Sequence, residues 1–252
     1  MSGRQKILVF DSGLGGLTVF RAIRALRPDA DYFYLGDDAL FPYGALAPNV
    51  LIARVDQIIA EAMADFAADC IVIACNTAST LVLPSLRARY SIPIVGTVPA
   101  IKPAAAATRS GLISVLATPG TVSRDYTQDL IREFATGVAV TLVGSKALAG
   151  LAERALRGEG LDREAIAVEI APCFVLQDGR RTDMIVLACT HYPLLIDTLR
   201  DLAPWPVEWI DPAPAIARRV AQVLGERKSE GLGGACAVFT AGGTPDLRAF
   251  DL

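Results

Sequence analysis

The residues of this sequence whose type and setting invite chemistry are two of its cysteines. Asp69-Cys70-Ile71-Val72-Ile73-Ala74-Cys75 returns as Asp183-Met184-Ile185-Val186-Leu187-Ala188-Cys189. In both copies an apolar run of strand type delivers a cysteine to its C-terminal end. A polar pair follows each, Asn76-Thr77 and Thr190-His191. A free thiol has a pKa of about 8.5, and the unpaired N–H groups and dipole at a helix start lower it. Asn76-Thr77-Ala78-Ser79 leads into the apolar Leu81-Val82-Leu83, and Pro193 after Cys189 suits a first helical turn. Both thiols are therefore expected to ionise near neutral pH, which suits proton transfer.

Other uses of cysteine fit less well. Buried cysteine is commonly an inert small hydrophobe, and that reading is adopted for Cys70, Cys173 and Cys236, which no convergent polar residues follow. The five cysteines are odd in number and hold no C-x-x-C pair, so neither a disulfide framework nor a structural zinc site is expected. Cys189 with His191 offers a metal only two ligands. His191 is the sole histidine, so a Cys-His-Asn protease would have to use it and would leave Cys75 unexplained.

Two further segments follow strand-like runs. Asp11-Ser12-Gly13-Leu14-Gly15-Gly16-Leu17 is a glycine turn of the kind that lets backbone N–H groups approach a carboxylate or phosphate. Thr18 stands where a dinucleotide fingerprint needs its third glycine, and no P-loop lysine is present. Asp11 could hold an ammonium group or relay a proton, and Ser12 could bond a carboxylate. Asp37-Asp38-Ala39-Leu40-Phe41-Pro42-Tyr43-Gly44 is a polar segment turning through Pro-Tyr-Gly.

Elements must position these groups. Short apolar runs alternate with stretches of helical period, the pattern of βα units building parallel sheet. Strands are expected at 6–11, 32–36, 71–75, 92–97, 112–117, 138–144, 184–189, 207–210 and 237–240. Helices are expected at 17–26, 50–66, 122–134, 146–156 and 216–224. A fainter echo matches Leu8-Val9-Phe10-Asp11-Ser12-Gly13 to Val115-Leu116-Ala117-Thr118-Pro119-Gly120. Two echoes in one order suggest two similar parallel-sheet α/β domains, residues 1–98 with 207–252 and residues 99–206. Ligands of open α/β sheets collect at the C-terminal ends of strands, so domains facing each other across a cleft would bring both cysteines to it.

Composition narrows the partners. The chain has 252 residues, 52% hydrophobic and 20% charged, with a formal charge of -3. That suits well-packed globular domains and supplies no basic field for nucleic acid or membrane surfaces. Ile7-Leu8-Val9-Phe10 is too short for a signal-peptide core and no later run reaches spanning length, so a soluble cytoplasmic protein is expected. Lys6, Lys102, Lys146 and Lys228 lie in no context of a pyridoxal site, and neither cofactor nor metal is expected.

These residues also carry a resemblance. Asp11-Ser12-Gly-x-Gly-Gly-Leu, Pro42-Tyr43-Gly44, Ala74-Cys75-Asn76-Thr77-Ala78-Ser79, 96–103 (Gly-Thr-Val-Pro-Ala-Ile-Lys-Pro), Leu116-Ala117-Thr118 with Thr121, and 187–195 (Leu-Ala-Cys-Thr-His-Tyr-Pro-Leu-Leu) resemble, in order, the signature set of glutamate racemases. Phe239-Thr240-Ala241-Gly242 is similar to that family's late strand. The resemblance implies cofactor-independent racemisation of glutamate, a small-molecule substrate, supplying D-glutamate for peptidoglycan; a homodimer is left open. It implies Cys75 and Cys189 as the two acid/bases, Cys75 acting on D-glutamate and Cys189 on L-glutamate, with Asp11 and His191 as helpers. Ser12, Tyr43, Gly44, Asn76, Thr77, Thr118 and Thr190 are implied around the substrate, with Asp11 and His191 among them. Where the family often shows Pro-Leu-Val-Glu, residues 146–153 keep only the glutamate, and Glu153 is read as a solvated helix charge. Aspartate or hydantoin racemases and single-cysteine decarboxylases are the nearest rival enzymes. A binding module that keeps the fold without turnover is the rival of another class.

Overall fold

The computed structural model describes residues 3–226, 230–242 and 247. In chain order the elements are β1 (Lys6–Asp11), α1 (Leu17–Leu26), β2 (Asp31–Gly36), α2 (Pro48–Phe66), β3 (Cys70–Ile73), α3 (Asn76–Arg89), β4 (Ile94–Gly96) and α4 (Ile101–Ala107). There follow β5 (Leu112–Ala117), α5 (Pro119–Val122), α6 (Asp125–Phe134), β6 (Ala139–Gly144), α7 (Leu148–Leu156) and α8 (Arg163–Ile170). The hairpin β7 (Leu176–Gln177) and β8 (Arg180–Arg181) precedes β9 (Met184–Ala188), α9 (Ile196–Leu202), β10 (Glu208–Ile210), α10 (Ala213–Leu224) and β11 (Ala235–Phe239).

Two compact units result, Met1–Thr97 with Ala213–Leu252, and Val98–Pro212. Among the described residues the first holds a parallel sheet of order β11-β2-β1-β3-β4 and the second a parallel sheet of order β10-β9-β5-β6. The central strands are continuous apolar runs, buried along their length, because helices cover both faces of a parallel sheet. In the first unit the sheet packs through Leu8, Phe10, Ile71 and Ile73 onto Leu51, Val55 and Ile59 of α2 and Val82 and Leu86 of α3. In the second, Ile113, Val115, Met184 and Val186 pack with Ile101 and Ala104 of α4. The expected α/β fold class is the observed one.

The repeat is visible in the strand order. β2-β1-β3-β4 and β6-β5-β9-β10 are the same arrangement, each reversing direction between its first and third strands. The register is shared too. Asp37 N donates to Asp11 O at 2.9 Å, as Ser145 N donates to Ala117 O at 2.8 Å. Asp69 N reaches Lys6 O at 2.8 Å, as Asp183 N reaches Leu112 O at 3.3 Å. These pairs make Asp11 the counterpart of Ala117, and Ser12 that of Thr118. The fainter sequence echo was thus displaced by one residue, since side-chain similarity alone cannot fix register between two apolar strands.

Three expectations need correction. The strand at Glu208–Ile210 pairs with β9, so the chain leaves the second unit only at Ala213 and not at Val207. The helix read over 122–134 is two: Thr127 Oγ1 donates to Thr121 O at 2.7 Å, and the chain turns at Arg124 between α5 and α6. Cys236 is exposed on the edge strand β11, unlike the buried Cys70 and Cys173, because an edge strand has sheet on one side only.

Asp183 ties the second sheet together at its N-terminal end. Its carboxylate accepts from Thr108 Oγ1 at 2.6 Å, Arg109 N at 2.7 Å and Ser110 N at 3.0 Å, fastening the lead-in of β5 to β9. Burial acts to raise its pKa, but these donors outweigh it and hold the carboxyl below its usual range. A depressed folded-state pKa gives stability that is present above the unfolded value of about 3.9 and lost as pH falls through the folded value. Asp183→Ala is expected to cost about 1–3 kcal/mol at pH 7. Urea midpoints should show this gap narrowing below pH 4, and a gap that stays constant with pH would refute the charged assignment.

Candidate active site

Each unit carries its chemical groups at the C-terminal ends of its strands, beside the place where strand order reverses. That is where open α/β sheets bind ligands, since the loops on either side diverge there.

In the first unit Cys75 is the cap of α3 and lies beyond the end of β3. Its thiol donates to Ser12 Oγ at 3.6 Å. Ser79 holds this turn still: its hydroxyl donates to Ile73 O at 3.0 Å and accepts from Thr97 N at 3.0 Å, pinning the first turn of α3 to the ends of β3 and β4. Asn76 and Thr77 are buried in that turn. Both amide atoms of Asn76 lie buried with no hydrogen-bond partner among the described residues. An unpaired buried amide costs about 1–3 kcal/mol, a cost that a ligand's polar groups would remove.

The glycine turn packs closely around Asp11. Asp11 is wholly buried and its carboxylate accepts from Gly13 N at 3.1 Å, while Tyr34 hydroxyl donates to Gly13 O at 2.7 Å. A Cβ at Gly16 would sit 2.4 Å from Asp11 Cβ, so only glycine lets α1 start so close to the acid.

Tyr43 is buried and Gly44 lies in the short 3₁₀ turn Tyr43–Ala45. The Tyr43 hydroxyl donates to Asp37 Oδ2 at 2.5 Å. Arg54 and Thr240 bond the same carboxylate. Burial would raise the Asp37 pKa, yet the bonds from Arg54, Thr240 and Tyr43 hold it below the usual carboxylate range. Burial and the bond to Asp37 push the Tyr43 phenol far up, so its hydroxyl is no acid/base at neutral pH.

In the second unit Cys189 directly follows β9, but no α-helix begins there. Thr190 and His191 form a turn, Tyr192–Leu195 is a 3₁₀ turn holding Pro193, and α9 begins only at Ile196. The expectation of a helix start behind both cysteines therefore holds for Cys75 alone. Cys189 has an imidazole instead. His191 Nδ1 is 3.9 Å from Cys189 Sγ and 3.4 Å from Thr190 Oγ1. His191 Nε2 is 2.8 Å from Glu153 Oε2, and Arg157 Nη2 donates to Glu153 Oε1 at 2.9 Å. With Nε2–H donating to the Glu153 carboxylate, Nδ1 is the ring nitrogen that faces the thiol.

Glu153 is therefore not the solvated charge the sequence suggested: it is 6% exposed. It lies on the buried stripe of α7 with Leu148, Ala149 and Ala152. The signal was a carboxylate among small apolar residues at helical spacing. Ser145 also went unread: its hydroxyl bonds Glu169 and accepts from Leu148 N at 3.0 Å, which satisfies the first N–H of α7. Thr118 caps α5, its Oγ1 3.2 Å from Thr121 Oγ1. The structure thus places Asp11, Ser12, Cys75, Asn76, Thr77, Tyr43 and Gly44 in the first unit and Thr118, Cys189, Thr190 and His191 in the second.

Comparison with known proteins now defines the class. The family model "Asp/Glu/Hydantoin racemase" matches residues 18–220. A glutamate racemase of Brucella canis is 56% identical over 225 residues, 89% of this chain and 81% of its own, and one of Brucella anthropi is 57% identical over the same shares. The solved structure of Escherichia coli glutamate racemase, with L-glutamate and the activator UDP-MurNAc-Ala, is 38% identical, covers 98% of this chain and 93% of its own, and superposes with a TM-score of 0.88. Thermus thermophilus glutamate racemase, solved with β-chloro-D-alanine, is 30% identical over 98% of this chain and 91% of its own, with a TM-score of 0.74. The chain belongs to the Asp/Glu/Hydantoin racemase family. It is an isomerase, an amino-acid racemase similar to the glutamate racemases.

Burial pushes the Cys70 thiol up to about 12, with Asp69 adding to the rise, and burial pushes Cys173 up to about 12. Both stay protonated and unreactive at neutral pH. Alkylation of the native protein with iodoacetamide at pH 7.5, mapped by mass spectrometry, should leave both unmodified while Cys236 reacts. Early labelling of Cys70 or Cys173 would refute their inert role.

Proposed function

We propose that this racemase interconverts L- and D-glutamate without cofactor or metal, using Cys75 and Cys189 as acid/bases on opposite faces of Cα. The observation that supports this most is the pairing of equivalent places with unlike helpers. A thiol stands at the same strand end of each repeat, one beside Ser12 at a helix start and one beside a His191–Glu153 pair.

The mechanism requires both units to present their thiols to one Cα, with one cysteine as thiolate and the other as thiol. Cys75 would take the proton from D-glutamate and Cys189 from L-glutamate. The α-proton is very weakly acidic, so developing negative charge must be stabilised. Asn76, Thr77, Thr118 and Thr190 would surround the α-carboxylate with fixed donors, which cost no reorganisation when charge appears. Asp11 would hold the ammonium group or pass a proton on the Cys75 side, and His191 would do so for Cys189. Ser12 with the backbone of Tyr43 and Gly44 would take the side-chain carboxylate. Among the described residues no helix is long and apolar enough to cross a membrane. The reading adopts the cytoplasm as the place of action, with D-glutamate destined for peptidoglycan.

Circular dichroism of a D-glutamate solution should decay to zero on adding the purified, dialysed chain. Cys75→Ser and Cys189→Ser should each abolish racemisation, because a hydroxyl is far too weak an acid to replace the thiol. Aspartate, one methylene shorter, should show kcat/KM at least about a hundredfold lower, since buried donors would be left unpaired. Near-normal racemisation by either serine variant would sink the two-base assignment.

His191→Asn and Glu153→Gln should act on the Cys189 side. The enantiomers have equal free energy, so each variant must lose the same kcat/KM in both directions. Only kcat and KM can part company. The L-to-D kcat should fall further than the D-to-L kcat, and equal falls would remove Glu153 and His191 from service to one thiol.

A further inference from the structure

Asp37 follows β2, and every side of its carboxylate is taken. Oδ1 accepts from Arg54 Nη2 at 2.6 Å and from Thr240 Oγ1 at 2.6 Å. Oδ2 accepts from Arg54 Nε at 2.9 Å and from the Tyr43 hydroxyl at 2.5 Å. The side chain is wholly buried. So saturated a carboxylate has no free position for substrate and no role in proton transfer. It acts as a knot joining α2, the turn at Tyr43 and the end of β11.

The knot is reinforced around it. Thr240 Oγ1 also accepts from Ala39 N at 3.2 Å, Ala241 N donates to Asp38 Oδ1 at 2.8 Å, and the Tyr43 ring packs 6.2 Å from that of Phe10 on β1. The Tyr43 side chain is thereby committed inward. What the Tyr43–Gly44 turn can offer an anion is its backbone, whose place depends on where the Asp37 carboxylate stands. Arg54 sets that place, because a planar guanidinium binding through Nε and Nη2 fixes both the position and the plane of its partner. It also cancels a buried negative charge that would otherwise repel an incoming carboxylate.

We propose that Arg54, seconded by Thr240, is the specificity-determining positioning residue of the side-chain carboxylate subsite at Tyr43–Gly44. It never touches substrate. It sets the distance from that subsite to Cα, and so selects glutamate over aspartate. The inference rests on the proposed glutamate reaction and adds the residues that tune its substrate choice.

The test is steady-state kinetics of the full chain on both enantiomers of glutamate and of aspartate. Arg54→Leu should raise KM for glutamate at least about tenfold, the worth of a charged hydrogen bond, with kcat changed far less. It should also narrow the glutamate-to-aspartate ratio of kcat/KM. Arg54→Lys keeps the charge without the fork and should give an intermediate KM with the ratio still narrowed. Thr240→Val should move both in the same direction by less. Adding Asp37→Asn to Arg54→Leu removes the unpaired charge and should bring KM part of the way back. A purely structural role would lower melting temperature and leave the substrate ratio untouched. Should Arg54→Leu fail to fold, the lysine and Thr240 variants carry the test. Folded variants with the KM and ratio of the unaltered chain would overturn the inference, whereas an unaltered chain inactive on glutamate would instead overturn the reading beneath it.

Discussion

The parallel pairing of first and third strands, β1 with β3 and β5 with β9, is the constraint on which the rest depends. Parallel strands cannot be joined by a tight turn, so each needs a crossover helix. Where the third strand joins the sheet on the opposite side of the first, the loops leaving the two strand ends diverge. That leaves a polar gap above an apolar sheet, and each unit fills its gap with a cysteine. Leu8, Phe10, Ile71 and Ile73 in one unit and Val115, Leu116 and Leu187 in the other are wholly or nearly unexposed. Burial of that kind, at about 25 cal/mol per Å² of apolar surface, holds the strand ends rigid enough to aim a thiol.

A shared backbone does not make the two gaps chemically alike. Cys75 has the N-terminus of a fourteen-residue helix behind it, with Ser79 locking that helix to two strands. Cys189 has a 3₁₀ turn instead, and a helix dipole is weak where there is barely one turn to sum. The His191–Glu153 pair stands where that field is missing. The repeat thus sets one thiol at a helix N-terminus and the other beside an imidazole.

Much of this was legible in the sequence, and what was not had a common cause. Continuous apolar runs announced β1, β5 and β9, and the run ending at Cys75 with its hydroxyl-rich successor announced the start of α3. What the sequence could not show were pairings between residues far apart in the chain. Glu153 bonds His191 across 38 positions, and Thr240 bonds Asp37 across 203. A glutamate on a helix carries no mark of its partner, even where, as at Glu153, small apolar neighbours mark its face as buried. The break between α5 and α6 was hidden likewise, since a threonine reaching back to a carbonyl looks like any threonine in an amphipathic run. Register was the subtlest loss: the echo of β1 in β5 slipped by one because Ala117 resembles Phe10 more than it resembles the buried acid Asp11.

The corrected register reveals a second correspondence, one residue beyond β2 and β6. Asp37 and Ser145 occupy the same place, each donating its N–H to the end of the first strand. Both are buried hubs, yet their charges are arranged in opposite senses. At Asp37 the hub is the anion and Arg54 on α2 supplies the cation. At Ser145 the hub is a neutral hydroxyl and the anion is Glu169 on α8, which also accepts from Ala147 N at 3.4 Å beside the start of α7. A carboxylate near a helix N-terminus is stabilised by the dipole and needs no cation beside it. The wholly buried Asp37 carboxylate is instead neutralised by Arg54, because a buried charge without a partner is costly. Each hub then anchors the segment that flanks its cysteine, Tyr43–Gly44 in one unit and the helix bearing Glu153 in the other.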